Sequence, residues 1–571
     1  MDLREFRPVL AAVVACLTFI PVAGGQTIWY VDAANCPGPG SGSPDDPFCE
    51  IQPAIDAAAA HASPPDEIVM ADGVYTGAGN KNLNFGGKAI KLRSAGGPRS
   101  CIIDCEASGR GFYFHSDESA ASTVEGITVR NGLADDSSPA GPKGGGVYCS
   151  ASSPTLSNCV VSGNVAATVA YVGAFGGGLF CAGGSPALIN CAISGNTTTS
   201  PSLSEAGGSG VACSNSCSLT LAGCRIEENR STGQGQAAGG GVFCTSASSV
   251  TLIDCEILAN AAGAGGGVEC YDATGTLNDC MIANNTAGAG GGICCNGSSM
   301  TITDCMITHN SGVGGGGVYS FWYSALVLQG CTIAENTSSF GGGVYCIYYD
   351  DTRLTDCVIS SNTAVESGGG VNCVQSSPRL NRCIISGNTV AGSSEATGGG
   401  VFCDWDSWPT FVDSVISGNA VSGASSAAGG GGVCSSQAGP TFINCAIRGN
   451  RALSGCRGGG VLCRFNSYPS FVSCSISSNT ARRGGGVYCD NDSDPVLTNC
   501  TISGNIADQG GGFYGYGSHA VLTNCIFWGD SPQEIQVDFS ESNVTYCDVQ
   551  GGWWTGVGNI DADPLFVRSP S

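Results

Sequence analysis

Asparagine recurs along this chain with a regularity that leaves few folds open. It stands five places after a cysteine, once after a serine, in thirteen successive copies: Asn164, Asn196, Asn229, Asn260, Asn285, Asn310, Asn336, Asn362, Asn388, Asn419, Asn450, Asn479 and Asn505. The marker positions run from Cys159 to Cys525, spaced 25 to 33 residues apart, with Ser414 filling one place. Each copy opens on a glycine triplet, as in Gly144-Gly145-Gly146-Val147-Tyr148-Cys149, and closes as in Asn158-Cys159-Val160-Val161-Ser162-Gly163-Asn164. A fixed period of this length is the mark of a solenoid, whose units stack because none can bury its own core.

Within a copy, apolar residues alternate, Val147 and Cys149 about Tyr148, Cys159 and Val161 about Val160. That is the period of a strand. The residue before the marker is Asn, Asp or Gly in twelve of fourteen copies, Arg382 and Ser473 being the exceptions. These residue types tolerate a left-handed backbone, so a tight bend between strands is predicted there. The reading is an all-β parallel β-helix of roughly 16 rungs, three short strands per rung, about 75–80 Å long at the strand spacing. The asparagines then form a structural ladder. The triplets turn the chain where a side chain would strike a neighbouring rung. Length varies mostly between the asparagine and the next triplet, so insertions are expected along one edge.

The ends are expected to differ. Residues 1–25 read as a signal peptide, with Arg4 and Arg7 before an apolar run from Val9 to Ile20 and a cut before Gln26. Residues 26–143 form an N-terminal cap with irregular early rungs and a short helix over Ile51 to Ala60; 144–530 are the regular repeats; 531–571 cap the far end, with a last strand from Asn543 to Tyr546. No later stretch has the roughly 20 apolar residues of a membrane helix. A secreted or surface-displayed location and a monomer are expected.

The pairing of Gly145-Gly146-Val147 with Val161 to Asn164 resembles the repeats of polymorphic outer-membrane proteins. The whole looks like the right-handed, pectin-lyase-like β-helix proteins that environmental bacteria export. Trp29-Tyr30-Val31-Asp32 and Ile51-Gln52-Pro53-Ala54 fit the N-terminal cap of such proteins, and Asp561-Ala562-Asp563-Pro564 is similar to their closing phrase. The resemblance implies the right hand and, for the outer-membrane type, adhesion at a cell surface.

Composition narrows the chemistry. A net charge of −24 argues against nucleic acid. The polysaccharide-cleaving enzymes among β-helices need paired carboxylates or Ca²⁺ with a base, whereas the acids here are mostly scattered. Four lysines all precede the regular rungs, and His61, His115, His309 and His519 fall in unrelated contexts. No catalytic residue is assigned. Aromatics recur in one loop of several rungs: Phe321, Trp322 and Tyr323; Tyr348 and Tyr349; Trp405 and Trp408; Phe465 and Tyr468. They either line a stacking track for sugars or pack over the sheet edge. Asp490, Asp492 and Asp494 place oxygen ligands at alternate positions, a pattern that suits Ca²⁺ or a solvated acidic turn. The 34 cysteines fall mainly on two inward ladder positions. Registered neighbours about 4.8 Å apart are too far for relaxed disulfides, so stacked thiols are expected, with bridges at Cys36–Cys49 and Cys101–Cys105. The expected function is a secreted, non-catalytic, adhesin-like binding module for a surface or matrix polysaccharide or protein. The alternative is a carbohydrate-active protein, lectin-like or a divergent lyase or hydrolase. The acidic charge makes an anionic polymer an unfavourable partner unless Ca²⁺ bridges the two.

Overall fold

The structure, a computed structural model, describes residues 25–60, 64–170, 172–201, 206–233, 237–392, 394–425, 428–553 and 555–566. The signal-peptide reading and His61 lie outside the described residues. The chain coils into a parallel β-solenoid. Its first sheet takes the strand after each glycine triplet, such as Val147–Ser150, and counts 16 strands. The second takes strands such as Thr155–Ser157 and counts 19. The third takes those after the marker cysteine, such as Val160–Ser162. Neighbouring strands pair parallel and in register, as Val147↔Leu179 and Cys149↔Cys181 do.

The bend before the marker residue is left-handed as predicted: φ is +51° at Asn158, +52° at Asn190 and +61° at Gly223. The two exceptions obey the same geometry, with +52° at Arg382 and +54° at Ser473. Backbone position therefore governs this site, and Asn, Asp and Gly adopt it at least cost.

The asparagines form one continuous buried ladder. Asn336 receives both the backbone N–H and the side-chain Nδ2 of Asn310 on Oδ1, at 2.9 and 3.0 Å. Its own Nδ2 donates to Asn362 Oδ1 at 3.0 Å and to the Ile307 carbonyl at 2.9 Å. From Asn196 to Asn505 all four hydrogen-bonding positions of the amide are thus used. The glycine triplets make room for this ladder. A Cβ at Gly317 would lie 2.7 Å from the Gly343 carbonyl and 3.0 Å from Asn336 Nδ2. The first glycine of the triplet, Gly315, holds φ at +61°.

At its far end the ladder closes on an acid. Asp530 Oδ1 accepts from Asn505 N at 2.6 Å and Nδ2 at 2.8 Å. No further asparagine follows, and the Asp530 amide donates instead to the Glu534 carboxylate at 3.1 Å. Asp530 Oδ2 is buried with no hydrogen-bond partner. Burial, then contact with Glu534, raises the Asp530 pKa to about 8.

Cysteines hydrogen-bond as well as fill space. Cys357 Sγ donates to the Leu328 carbonyl at 3.5 Å and lies 3.4 Å from that of Thr355. Ser414 repeats this chemistry, donating to Val412 at 2.8 Å while accepting from Cys383 N at 3.1 Å. Cys36 and Cys49 are bridged; Cys101 and Cys105 are not. Cys101–Asp104 is a strand, which carries residues four apart to about 13 Å, far beyond disulfide reach. Burial pushes the Cys346 thiol well up, so it stays protonated and inert.

Two features go beyond the sequence reading. The edge between asparagine and triplet is not merely looped. Where insertions are long it pairs into fourth sheets, one of five strands: Thr337–Phe340, Thr363–Ser367, Thr389–Ala391, Ala420–Ser422 and Arg451–Leu453. A second ladder, of serines, lines the corner between the first and second sheets. There Ser298 Oγ accepts from Ala273 N at 3.0 Å, Ser407 Oγ from Ser376 N and Ser493 Oγ from Ser467 N. At the N-terminal end, helix α1 (Ile51–Ala57) turns Ile51, Ala54 and Ile55 onto the core. At the C-terminal end the last strands are Asn543–Thr545 and Asp548–Val549, and Trp553 packs against the core.

Replacing Asn336 with Ala strands the Asn310 backbone N–H, one of the two Asn310 Nδ2 hydrogens and the Ile307 carbonyl, at about 1–3 kcal/mol for each buried group. Hydrogen exchange should rise first in the rungs of Asn310 and Asn336; uniform protection across the rod would contradict the ladder's role. Because folding raises the Asp530 pKa, stability is greatest where the unfolded carboxyl is still protonated and is lost as pH climbs toward 8. Asp530→Asn should flatten that decline and melt higher than the parent at pH 9, whereas parallel melting profiles would refute the assignment. Titration after non-reducing denaturation should find close to the 31 free thiols of the described chain, and almost none before it.

Candidate functional site

The predicted aromatics meet at the corner where the chain leaves the first sheet for the second. The corner is built by two consecutive left-handed residues, φ being +51° at both Trp322 and Tyr323, and +59° and +60° at Tyr348 and Tyr349. This geometry throws both side chains outward. The strands leading into the corner are in register, Phe321↔Ile347↔Val374↔Asp404↔Ser436↔Arg464. The next residue of each rung therefore forms a column: Trp322, Tyr348, Gln375, Trp405, Gln437 and Phe465. Four of the six members are aromatic, the other two being glutamines, and the column runs about 24 Å at the strand spacing.

The rings remain in solvent. Trp322 is 57% exposed, Tyr323 74%, Tyr349 62% and Trp405 57%. Tyr323 stacks on Tyr349 with centroids 5.4 Å apart and planes 16° from parallel. Trp322 stacks on Phe321 at 5.3 Å and 7°. The array continues inward over the outer face of the first sheet, through Tyr319, 5.6 Å from Phe321, to Tyr345, 5.4 Å from Tyr319. Burial pushes the phenol of Tyr345 up to about 12. Beside Tyr319 and Phe321 lies a hollow of about 390 Å³, walled by alanine and glycine and carrying Glu269, Cys294 and Asn296. Glu269 accepts from the Gly239 amide at 3.0 Å. Tyr319 and Tyr345 were not singled out from sequence, although alternation about the inward Val and Cys positions aims that residue outward.

Trp408 and Tyr468 lie farther into the same loop, both about half-exposed. The Trp408 ring covers Gly439 of the next rung, where a Cβ would fall 2.1 Å from Cζ3, and its Nε1 donates to Asp406 at 2.9 Å. Trp408 is thus held against the rod, while Trp322 and Tyr323 extend from it.

The proposed oxygen cluster is not gathered. Asp490 ends a strand with its side chain on the outer face of the first sheet, where Oδ2 meets Arg457 Nη1 at 3.0 Å. Asp492 follows in the exposed left-handed corner, and Asp494 Oδ1 accepts from the His519 amide at 3.1 Å. Alternate positions supply one cation only where the loop curls around it, and here the left-handed corner at Asn491 and Asp492 does not bring the three carboxylates together. Among the described residues no group of three His, Cys, Asp or Glu side chains is placed to hold a metal. Burial raises the pKa of Asp490 and of Asp404, opposed at Asp490 by Arg457. These two acids stand three rungs apart, about 14 Å, wider than the carboxylate pairs of glycosidases.

A parallel solenoid with registered ladders and capped ends defines the class. The family model described as right handed beta helix region matches residues 68–288, 240–416 and 399–557, and the chain belongs to that family. No curated protein is significantly similar to it. Among solved structures it is similar to pectate lyase Pel9A, at 14% identity and a TM-score of 0.28, covering 73% of this chain and 79% of that one. It is also similar to the A-module of the Azotobacter vinelandii mannuronan C-5 epimerase AlgE6, at 14% and 0.18, covering 86% and 94%. The Agl-KA catalytic domain matches at 11% and 0.24, covering 95% and 70%.

Proposed function

We propose that this β-helix is an exported, non-catalytic, adhesin-like module that binds a polysaccharide of a surface or matrix along its aromatic corner. One observation carries the reading: aromatic side chains recur at a single corner, presented by left-handed backbone at Trp322, Tyr348, Trp405 and Phe465. Rigid aromatic rings offer large amphipathic contact area at little entropic cost, and contiguous exposed apolar surface marks an interaction site. Tyrosine hydroxyls and the tryptophan N–H add polar contacts at the ring rims. The adjoining hollow, with Glu269 and Asn296, supplies acceptors and donors for sugar hydroxyls.

A panel of neutral and acidic polysaccharides, tested by retention and by product analysis, examines this reading. Binding without release of reducing ends or unsaturated sugars is expected. Joint replacement of Trp322, Tyr323, Tyr348 and Tyr349 with Ala should weaken it at least about tenfold, the equivalent of 1.4 kcal/mol. Undiminished binding by that variant would place the ligand elsewhere, and turnover would overturn the non-catalytic reading.

A further inference from the structure

The charge of this rod is unevenly placed. Between Asp413 and Asp490 there is no acidic residue, yet six arginines fall there: Arg448, Arg451, Arg457, Arg464, Arg482 and Arg483. In a chain of net charge −24 this window is positive by six. Arg451 and Arg482 are both exposed, on the insertion edge of two adjacent rungs. Neither makes an ion pair among the described residues.

The same edge carries the opposite charge on the other side of one rung. Thr363–Ser367, Thr389–Ala391, Ala420–Ser422 and Arg451–Leu453 are successive strands of the five-stranded fourth sheet. Glu366 is exposed on the first of these rungs, and Glu395 is exposed just after the second strand. The insertion edge of the next rung, residues 420–430, carries no charged residue. Arg451 opens the rung after it, and Arg482 lies on the next, where Arg451 bridges to Thr480. Counted along the rod, the edge therefore reads acid, acid, neutral, base, base. Val365 and Leu453 are exposed on the same sheet, at 45% and 44%, so apolar contact accompanies the charges.

Such an antisymmetric strip is complementary to itself when reversed. We propose that this edge pairs two copies of the chain antiparallel, about a two-fold axis through the strand Ala420–Ser422. Reversal about that rung sets Glu395 against Arg451 of the partner subunit and Glu366 against Arg482 of the partner subunit. The symmetry makes each pair twice, as an isologous interface requires. Four opposite-charge pairs around small and apolar residues give register as well as attraction. The proposal is independent of the aromatic corner, and it departs from the monomer expected from the sequence.

The test is the solution mass of the full chain by light scattering or sedimentation as salt is varied. Twice the chain mass is expected at about 20 mM salt, falling to the monomer near 0.5 M as the screening length shortens to about 4 Å. Glu366→Arg with Glu395→Arg, and separately Arg451→Glu with Arg482→Glu, should each weaken self-association by at least about tenfold. Mixed one to one, the two variants should recover the dimer, because one edge is then wholly basic and the other wholly acidic. A parent that stays monomeric at low salt overturns the proposal, as does a mixture that fails to associate. Retention of a monomeric parent on sulfated dextran, lost in the arginine variant, would assign these arginines to an anionic polymer instead.

Discussion

The whole rod depends on a corner where a buried amide must fit beneath a backbone with no side chain. Each ladder asparagine from Asn196 to Asn505 satisfies all its donors and acceptors within the protein, so it can sit dry at no standing cost. It can do so only because the third glycine of the triplet in its own copy leaves its Nδ2 the space, as Gly317 does for Asn336. The two repeated signatures, GGG and Asn, are therefore two halves of one contact. Substituting either half disturbs both, since a methyl at the glycine strikes the amide and removal of the amide strands polar groups of the adjoining rungs. This coupling fixes the vertical register of the strands, and every other column inherits it.

Regular columns were legible in the sequence where one residue type dominates a position. The asparagine ladder, the left-handed bend before Cys159 and its counterparts, and helix α1 all show in the spacing because their geometry admits few alternatives. The serine ladder was hidden, because Ala273, Asp350 and Ala438 share its column and the loop before it varies in length. The five-stranded fourth sheet was hidden for a related reason: backbone pairing there tolerates Thr, Ala and Arg at corresponding places, leaving no residue signature. Asp490, Asp492 and Asp494, which suit Ca²⁺ or an acidic turn by their spacing, stand apart because a strand ends among them and the corner sends Asp490 to Arg457 and Asp494 to His519. Cys101 and Cys105 fail similarly, being near in sequence and held apart by an extended backbone.

The interior and exterior divide the chemistry between them. Inside, thiols behave as small apolar groups that also give a weak hydrogen bond to a carbonyl at the bend, which explains why serine at 414 is accepted without disturbing its neighbours. Outside, the same register that stacks thiols also stacks whatever projects from the corner, so side chains separated by about 26 residues in sequence become neighbours. An aromatic at a corner position is reinforced by the rungs above and below, and a charge on the insertion edge is likewise read against those of adjacent rungs. Surface recognition on this fold is accordingly written in columns, and loop length between asparagine and triplet sets which columns are shielded.

Asp530 gives the ladder a direction and an end. An asparagine both receives from the rung before and hands hydrogen bonds on to the rung after; Asp530 receives on Oδ1 from Asn505 but passes nothing on from Oδ2, and Glu534 takes up the backbone N–H left over. Any rung that carries both a donor and an acceptor can be copied or removed without altering the junctions on either side of it. Asp530, whose Oδ2 meets no partner, differs from them in marking the last junction of the ladder. The length of the rod is thus a quantity that gene duplication can adjust in whole units, while its terminus stays chemically defined. The reach of the rod is thereby set by how many such rungs the chain carries.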